Sequence, residues 1–433
     1  MATRSITPAG GPVRGTVRPP GSKSLTNRAL AVAALADSRT TIESAGVNDD
    51  TRVMASALDA LGIEVEMDEP ARTPRGDAGR IRVTGCGGRV PDGPKDLNTG
   101  DSGTATRFLT AMVAAGRGQY RIDGSKRMRE RPIQNLLDAL GALGVEARSD
   151  AGTGCPPVTI RTDGLRGGEV EVRGATSSQF LSGLLLAAPA ASRPVTLRVA
   201  GELASKPFVD MTLAVMRDFG VAVVREGYAR FEIAAPQAYR GRRYAVEPDA
   251  SSASYFLAAA AATGGRVTVE GLARASIQGD ARFADVLGEM GCAVEWSAEG
   301  VTVAGPEHLR GIRIDMNAMP DMVLTLAPLA LLARGRTVIE NVANLRVKES
   351  DRLTALATEL GRLGARVEEH PDGLTIWPPQ AVLSAEVATY NDHRMAMGFA
   401  IVGLRVPGIL IGGAECVSKT YPEFFEDLES LAG

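Results

Sequence analysis

Aromatic side chains are scarce in this chain: ten Phe, seven Tyr and two Trp make up 4% of its 433 residues. Its cores must therefore be built from aliphatic side chains and from backbones that approach closely, for which 49 glycines leave room. Cysteine is rarer still. Cys86, Cys155, Cys292 and Cys416 lie far apart without C-x-x-C spacing, which argues against a disulfide framework and against a thiolate metal cage. Three histidines, His308, His370 and His393, are too scattered for a histidine metal site. The apolar runs Phe256–Ala262 and Met322–Ala333 stop short of the roughly 18–20 residues a membrane helix needs. Met1–Arg14 holds no apolar stretch of the secretory kind. A reduced, cytoplasmic protein without structural metal is the simplest expectation. Charge of one sign is missing as well. With 48 Lys+Arg against 51 Asp+Glu the net charge is −3, so no global field draws nucleic acid or anionic lipid, and any basic site must be local. At 44% hydrophobic and 23% charged residues the composition is that of a globular protein, long enough for two or three domains.

What is present is a repeat. Apolar residues at helical spacing, then Gly, then a short alternating strand recur as Met54, Leu58, Leu61 before Gly62 and as Leu137, Leu140, Leu143 before Gly144. Further copies end at Gly220, Gly291 and Gly364, and a sixth closes at Gly433; the steps between these glycines are 82, 76, 71, 73 and 69 residues. A glycine just past a helix suits the left-handed conformation that other residues adopt only at a cost. A second series keeps step: short polar clusters opening strongly apolar helices, anchored on Ser22, Ser102, Ser177, Ser251, Asp321 and Asp392, with steps of 80, 75, 74, 70 and 71. Two independent series of one period predict six units of strand–helix–strand–helix–strand type, grouped three plus three. The apolar helices should be buried at the middle of each half and the amphipathic ones outside.

A Ser or Asp before a helix is most often just a cap. A cap, however, does not call for the Lys23, Arg28, Arg107 or Arg394 that accompany these clusters. The first turn of a helix leaves N–H groups unpaired and carries about half a positive charge, so a buried start ringed by Ser, Thr and Arg attracts phosphate and carboxylate. Converging starts predict a cleft for small polyanions. Lys126–Arg131, Arg346–Arg352 and Lys419 add cations before other helices, and Asp321 beside such a pocket is a candidate proton acceptor. Gly21-Ser-Lys-Ser24 lacks the glycines of a P-loop, and Gly152-Thr-Gly154 lacks the third glycine of a dinucleotide fingerprint.

Pro20-Gly-Ser-Lys-Ser24 with Asn27-Arg28, Gly103-Thr104, Arg127-Met with Glu130-Arg-Pro132, Ser177-Ser-Gln-Phe180, Ser205-Lys-Pro207, Arg346-Val-Lys-Glu with Asp351-Arg352, and Tyr390–Met397 occur in one order. From about Ile6 to the end, the chain resembles the 5-enolpyruvylshikimate-3-phosphate synthase family. The resemblance implies a two-domain inside-out α/β barrel, each domain three repeats with buried central helices. It puts residues 18–241 in one domain and 1–17 plus 242–433 in the other, with the active site in the cleft between them. It also implies transfer of the enolpyruvyl group of phosphoenolpyruvate to the 5-hydroxyl of shikimate 3-phosphate, in the shikimate pathway to chorismate and the aromatic amino acids. No metal and no cofactor are called for, nor any nucleic acid or membrane partner, and family analogy suggests a monomer.

By the same resemblance Lys23, Ser24, Arg28, Ser177, Ser178, Gln179, Ser205, Asp321, Asn344 and Lys348 bind shikimate 3-phosphate. Gly103, Arg127, Arg352, Arg394 and Lys419 hold phosphoenolpyruvate, with Lys23 and Gln179 reaching both substrates. Asp321, Glu349 and Lys23 are the implied proton carriers, which of them moves which proton being left open. Two residues depart from the family pattern: Asp101 stands for the usual Asn and Phe208 for the usual Tyr. Gly103 matches the small residue of glyphosate-sensitive forms, so sensitivity is expected. The nearest rival is the related UDP-N-acetylglucosamine 1-carboxyvinyltransferase, whose reactive cysteine on a basic loop has no counterpart here. A non-catalytic repeat scaffold would give no reason for the cations at helix starts.

Overall fold

The computed structural model describes residues 2–68, 79–174 and 177–432, which divide into two compact units. One spans 21–246; the other joins 2–20 to 247–432.

Three four-stranded sheets build the first unit and two build the second, and all five share one topology. A short edge strand lies parallel to its neighbour, and an antiparallel hairpin completes the sheet. In the first unit, for example, Lys95–Asn98 runs parallel to Arg117–Asp123, which pairs antiparallel with Val158–Asp163, and that strand with Glu146–Ser149. The expected third strand of each unit is thus one arm of a hairpin, and the sheets hold a fourth strand that the unit pattern did not include. Chain ends and crossings close the sheets. Arg243–Ala245 supplies the parallel edge beside Arg39–Ala45, Arg14–Val17 does so beside Arg266–Glu270, and Thr3–Ser5 completes a three-stranded sheet on Leu410–Gly412.

Twelve α-helices occur among the described residues. α1 (Lys23–Leu35), α3 (Gly103–Val113) and α5 (Ser178–Ala187) belong to the first unit, and α7 (Ala250–Thr263), α9 (Val323–Leu329) and α11 (His393–Gly403) to the second. These six are the apolar helices; all eleven residues of α3 and of α11 are buried. Rich in Ala, Leu and Val on every side, they have no polar face to offer water. Close approach is part of the arrangement: a Cβ on Gly398 of α11 would fall 2.0 Å from the Leu324 carbonyl oxygen of α9. The other six, α2 (Asp49–Leu61), α4 (Gln134–Ala142), α6 (Lys206–Asp218), α8 (Phe283–Glu289), α10 (Arg352–Arg362) and α12 (Phe424–Ala432), bury one stripe each. α10 buries Arg352, Leu353, Ala355, Leu356, Glu359 and Leu360, the three-and-four spacing of one helix face. Gly62, Gly144, Gly220, Gly291 and Gly364, the residues of the glycine series, have φ between +88° and +105°. Gly433 lies outside the described residues.

The caps follow the second series with two changes. Ser22, Ser102, Ser177 and Asp392 accept from backbone N–H groups of the first turns of α1, α3, α5 and α11. For α7 the cap is Asp249, not Ser251. α9 has no side-chain cap: Asp321 sits in the 3-10 turn Pro320–Met322 ahead of it and is engaged elsewhere.

Candidate active site

In the unit containing 247–432, Asp321 is the centre of a buried ion network. One carboxylate oxygen takes Arg352 Nη1 at 2.8 Å and lies 3.6 Å from Lys348 Nζ; the other meets Arg394 Nη2 at 3.1 Å. Arg352, 1% exposed, opens α10 and turns its remaining donors to Glu349 Oε2 at 2.9 Å and Asp392 Oδ2 at 2.7 Å. Lys419 Nζ lies 3.7 Å from Glu349 Oε1. Six of the residues assigned from sequence, Asp321, Lys348, Glu349, Arg352, Arg394 and Lys419, therefore meet in one cluster. Asn344 lies in the 3-10 turn Ala343–Val347 that leads into Lys348.

The electrostatics follow from burial and charge. Burial alone would raise the Asp321 carboxyl, but Arg394, Lys348 and Arg352 hold it far below the usual carboxylate range. Arg352 and Arg394 are in turn held above the ordinary arginine value by the surrounding carboxylates, against the cost of their burial. Four cations concentrated in so little space attract acidic small molecules, and arginine grips carboxylate or phosphate with two donors at once.

In the unit of 21–246 the assigned residues sit at helix starts. Lys23 begins α1 and bonds Asp50 of α2 at 3.0 Å, with both side chains largely buried. Arg28 is 2% exposed and donates only to neutral oxygens: Thr212 Oγ1 at 2.8 Å, Phe208 O at 2.9 Å and Ser24 O at 3.0 Å. No carboxylate among the described residues pairs with it, and burial pulls its guanidinium down to about 9. Ser177 caps α5, Ser178 and Gln179 are its first two residues, and Gln179 Nε2 donates to Thr104 Oγ1 of α3 at 3.2 Å. Ser205 precedes α6 in the left-handed region at φ +57° and does not cap it. Gly103 starts α3 against Arg131, whose Nη2 lies 2.6 Å from where a Cβ would stand. Arg127 is half-exposed and bonded to Glu130 at 2.9 Å.

Both departures from the family pattern have partners. Asp101 Oδ1 accepts from Ser125 Oγ, which itself accepts the Met128 N–H at 3.2 Å, so this carboxylate fastens the loop before α3 to the loop carrying Arg127. The Phe208 ring lies 5.9 Å from the Arg28 guanidinium.

Several contributors escaped the residue assignments. Asp50 reads as one of two acids in a helix first turn, beside the Asn48–Thr51 capping box. Asp392 reads as a cap, which it is, but it also holds Arg352. Asp280 carries no local signal, and Arg131 reads only as the last cation of the Lys126–Arg131 run.

A family model described as EPSP synthase (3-phosphoshikimate 1-carboxyvinyltransferase) matches residues 8–428. The chain is 46% identical over 423 residues to a 3-phosphoshikimate 1-carboxyvinyltransferase of Shewanella baltica (strain OS155 / ATCC BAA-1091), covering 97% of both chains. It is 47% identical over 422 residues to the protein of that name from Sulfurovum sp. (strain NBC37-1), again covering 97% of both. Among solved structures it is similar to an EPSP synthase from Acinetobacter baumannii, with a TM-score of 0.81 and 27% identity over 100% of this chain and 98% of that one.

Proposed function

The chain belongs to the EPSP synthase family, and on that premise we propose how its residues divide the work. The reaction transfers the enolpyruvyl group of phosphoenolpyruvate to the 5-hydroxyl of shikimate 3-phosphate and releases phosphate, a step of the shikimate pathway to the aromatic amino acids. The UDP-N-acetylglucosamine alternative is not favoured, since the relatives carry the shikimate name over nearly their whole length.

Shikimate 3-phosphate is held by Lys23, Ser24, Arg28, Ser177, Ser178, Gln179 and Ser205 from one unit and by Asp321, Asn344 and Lys348 from the other. Phosphoenolpyruvate is held by Lys23, Gly103, Arg127, Gln179, Arg352, Arg394 and Lys419. The 5-hydroxyl oxygen bonds to carbon 2 of phosphoenolpyruvate as its proton passes to Asp321. The methylene carbon takes a proton from Glu349, assisted by Lys23, giving a tetrahedral intermediate. Glu349 then takes a proton back from the methyl group as the bond from carbon 2 to the phosphate oxygen breaks, which restores the double bond, and the proton held by Asp321 leaves with the phosphate. The single observation that carries this reading is the placing of Asp321. It stands where a helix cap belongs, yet it is spent on Arg352, Arg394 and Lys348.

The same reading takes the five like sheets and the closing three-stranded one as six copies of a unit, arranged as the two-domain inside-out barrel, with exchanges of chain near 18 and 242. It takes the enzyme as a cytoplasmic monomer, supported by near-neutral charge and four widely spaced free thiols. No helix of the described residues is long and apolar enough to cross a membrane. The deciding assay follows phosphate release with both substrates against each alone. Release that needs no shikimate 3-phosphate, or that proceeds only with UDP-N-acetylglucosamine, overturns the assignment.

A further inference from the structure

Asp280 is a buried carboxyl that the reaction as described does not use. It lies in the 3-10 turn Gly279–Arg282, packed against α7 and α8, and is 4% exposed. One oxygen, Oδ2, accepts from Ser251 Oγ at 2.5 Å. The other, Oδ1, is buried without a hydrogen-bond partner among the described residues. A carboxylate left half-bonded in an interior is costly unless a proton or a charge compensates it. The charged groups within its reach come from three elements: Asp249 at the cap of α7, Asp321 ahead of α9, and Arg394 in the first turn of α11. Tyr255 of α7 faces the same arginine. On the α8 side, Asp285 is half-exposed and lies 4.0 Å from Arg274. Gln278, just before the turn, is taken up by Glu247 Oε2, Pro248 O and Ala250 N.

We propose that Asp280 is a positioning residue for Arg394, its charge setting how strongly that arginine holds the acidic donor substrate. Arg394 already shares Asp321. A neutral Asp280 leaves the remaining pull of the arginine for an incoming anion, and an ionised one spends it. Burial first, and then the Asp321 carboxylate, lift the Asp280 carboxyl to about 6 against Arg394 and Ser251, with Asp249 adding to the lift. The carboxyl is therefore neutral below that pH and charged above it, so donor binding weakens as pH rises through the interval.

The inference rests on the assignment of Arg394 to phosphoenolpyruvate, and its test keeps the two apart. Phosphate release by the full chain, saturated with shikimate 3-phosphate, gives KM for phosphoenolpyruvate between about pH 5 and 8. Three enzymes are compared: the native one, Asp280→Asn and Ser251→Ala. The ratio of native KM to Asp280→Asn KM is expected near one at the acid end and about three- to tenfold above neutrality, with kcat changing less. The substrates' own phosphate titration near pH 6 is common to both enzymes and drops out of the ratio. Ser251→Ala keeps the carboxyl but removes a bond that favours its charged form, so the midpoint in the KM profile moves upward. A ratio that is the same at every pH, or a Ser251→Ala midpoint that stays in place, overturns the proposal. If Asp280→Asn does not fold, the Ser251→Ala midpoint decides alone. Failure of the native enzyme to release phosphate in a shikimate 3-phosphate-dependent way removes instead the functional reading, and this inference with it.

Discussion

Replacing Arg28 separates what a residue does for a fold from what it does for a ligand. Its guanidinium is buried, and desolvation pulls its pKa well below the ordinary arginine value, to about 9. That fall corresponds to about 5 kcal/mol against keeping the charge inside at neutral pH. Three charge-assisted hydrogen bonds, to Thr212, Ser24 and Phe208, return about 1.5 kcal/mol each, the lower end for bonds made by a charged group. Phe108 and Phe208, with centroids 5.4 and 5.9 Å from Cζ, add about 0.5 kcal/mol each. The sum lies near zero, so the ligand-free protein gains little from holding this cation. Arg28→Met keeps the packing volume and removes the charge. Its melting temperature without ligand is expected to stay within a few degrees of the native value. KM for shikimate 3-phosphate, in contrast, rises about a hundredfold or more, as when one partner of a buried ion pair is lost on binding. Thermal unfolding with and without shikimate 3-phosphate, beside phosphate-release kinetics, reads both quantities. A drop of more than about 10 °C with an unchanged KM would show that Arg28 is a structural cation and refute the reasoning.

Asp392→Asn keeps the cap oxygen for α11 but strips Arg352 of a buried carboxylate 2.7 Å away, so urea unfolding should show a loss of about 3–5 kcal/mol; unchanged stability contradicts this. Gly398→Ala drives a methyl onto the Leu324 carbonyl, forcing α9 and α11 apart at a cost of about 1–3 kcal/mol, visible as a lowered urea midpoint. Gly103→Ala displaces the Arg131 guanidinium at the start of α3, so KM for phosphoenolpyruvate rises and glyphosate inhibition weakens relative to a sensitive native enzyme; a native inhibition curve flat to high concentration contradicts the expected sensitivity. Asp280 titrates higher folded than unfolded, so native stability falls as pH rises from about 4 to about 6. Asp280→Asn should therefore match the native protein near pH 4 and exceed it by up to about 3 kcal/mol at pH 7 in urea unfolding, and equal offsets at both pH values contradict it.

The helices were legible in the sequence because each left a local mark. A glycine ended the outer helix, and a polar cluster opened the inner one. Both marks arise within a few residues, where backbone conformation and unpaired N–H groups decide the outcome. Sheet composition was less legible. Four of the five parallel edge strands are three or four residues long, and two of these reach their partners from about 200 and 250 positions away, as Arg243–Ala245 does with Arg39–Ala45 and Arg14–Val17 with Arg266–Glu270. Nothing in so short a run names so distant a neighbour. Of each hairpin, the arm after the glycine, such as Glu146–Ser149 or Val223–Glu226, was legible as the short strand that closes the unit. The returning arm, Val158–Asp163 or Arg230–Ile233, lies beyond the helix-ending glycine and was not included in the unit pattern.

The cations of the candidate site were legible one by one as charges out of place at helix starts, but their mutual arrangement was not. No local pattern says that Arg352 divides itself among Asp321, Glu349 and Asp392, or that Asp321 forgoes its cap. That arrangement bears on the chemistry. A carboxylate surrounded by Arg394, Lys348 and Arg352 is a feeble base, because the same charges that hold it in place oppose its taking a proton. Two acidic substrates bring charges that compete for those cations. On the proposed assignment, Arg394 and Arg352 turn to the donor and Lys348 to the acceptor, so the field on Asp321 weakens and its proton affinity climbs. On that assignment the substrates themselves supply the base strength needed to take the 5-hydroxyl proton, and the group stays unreactive until both are bound.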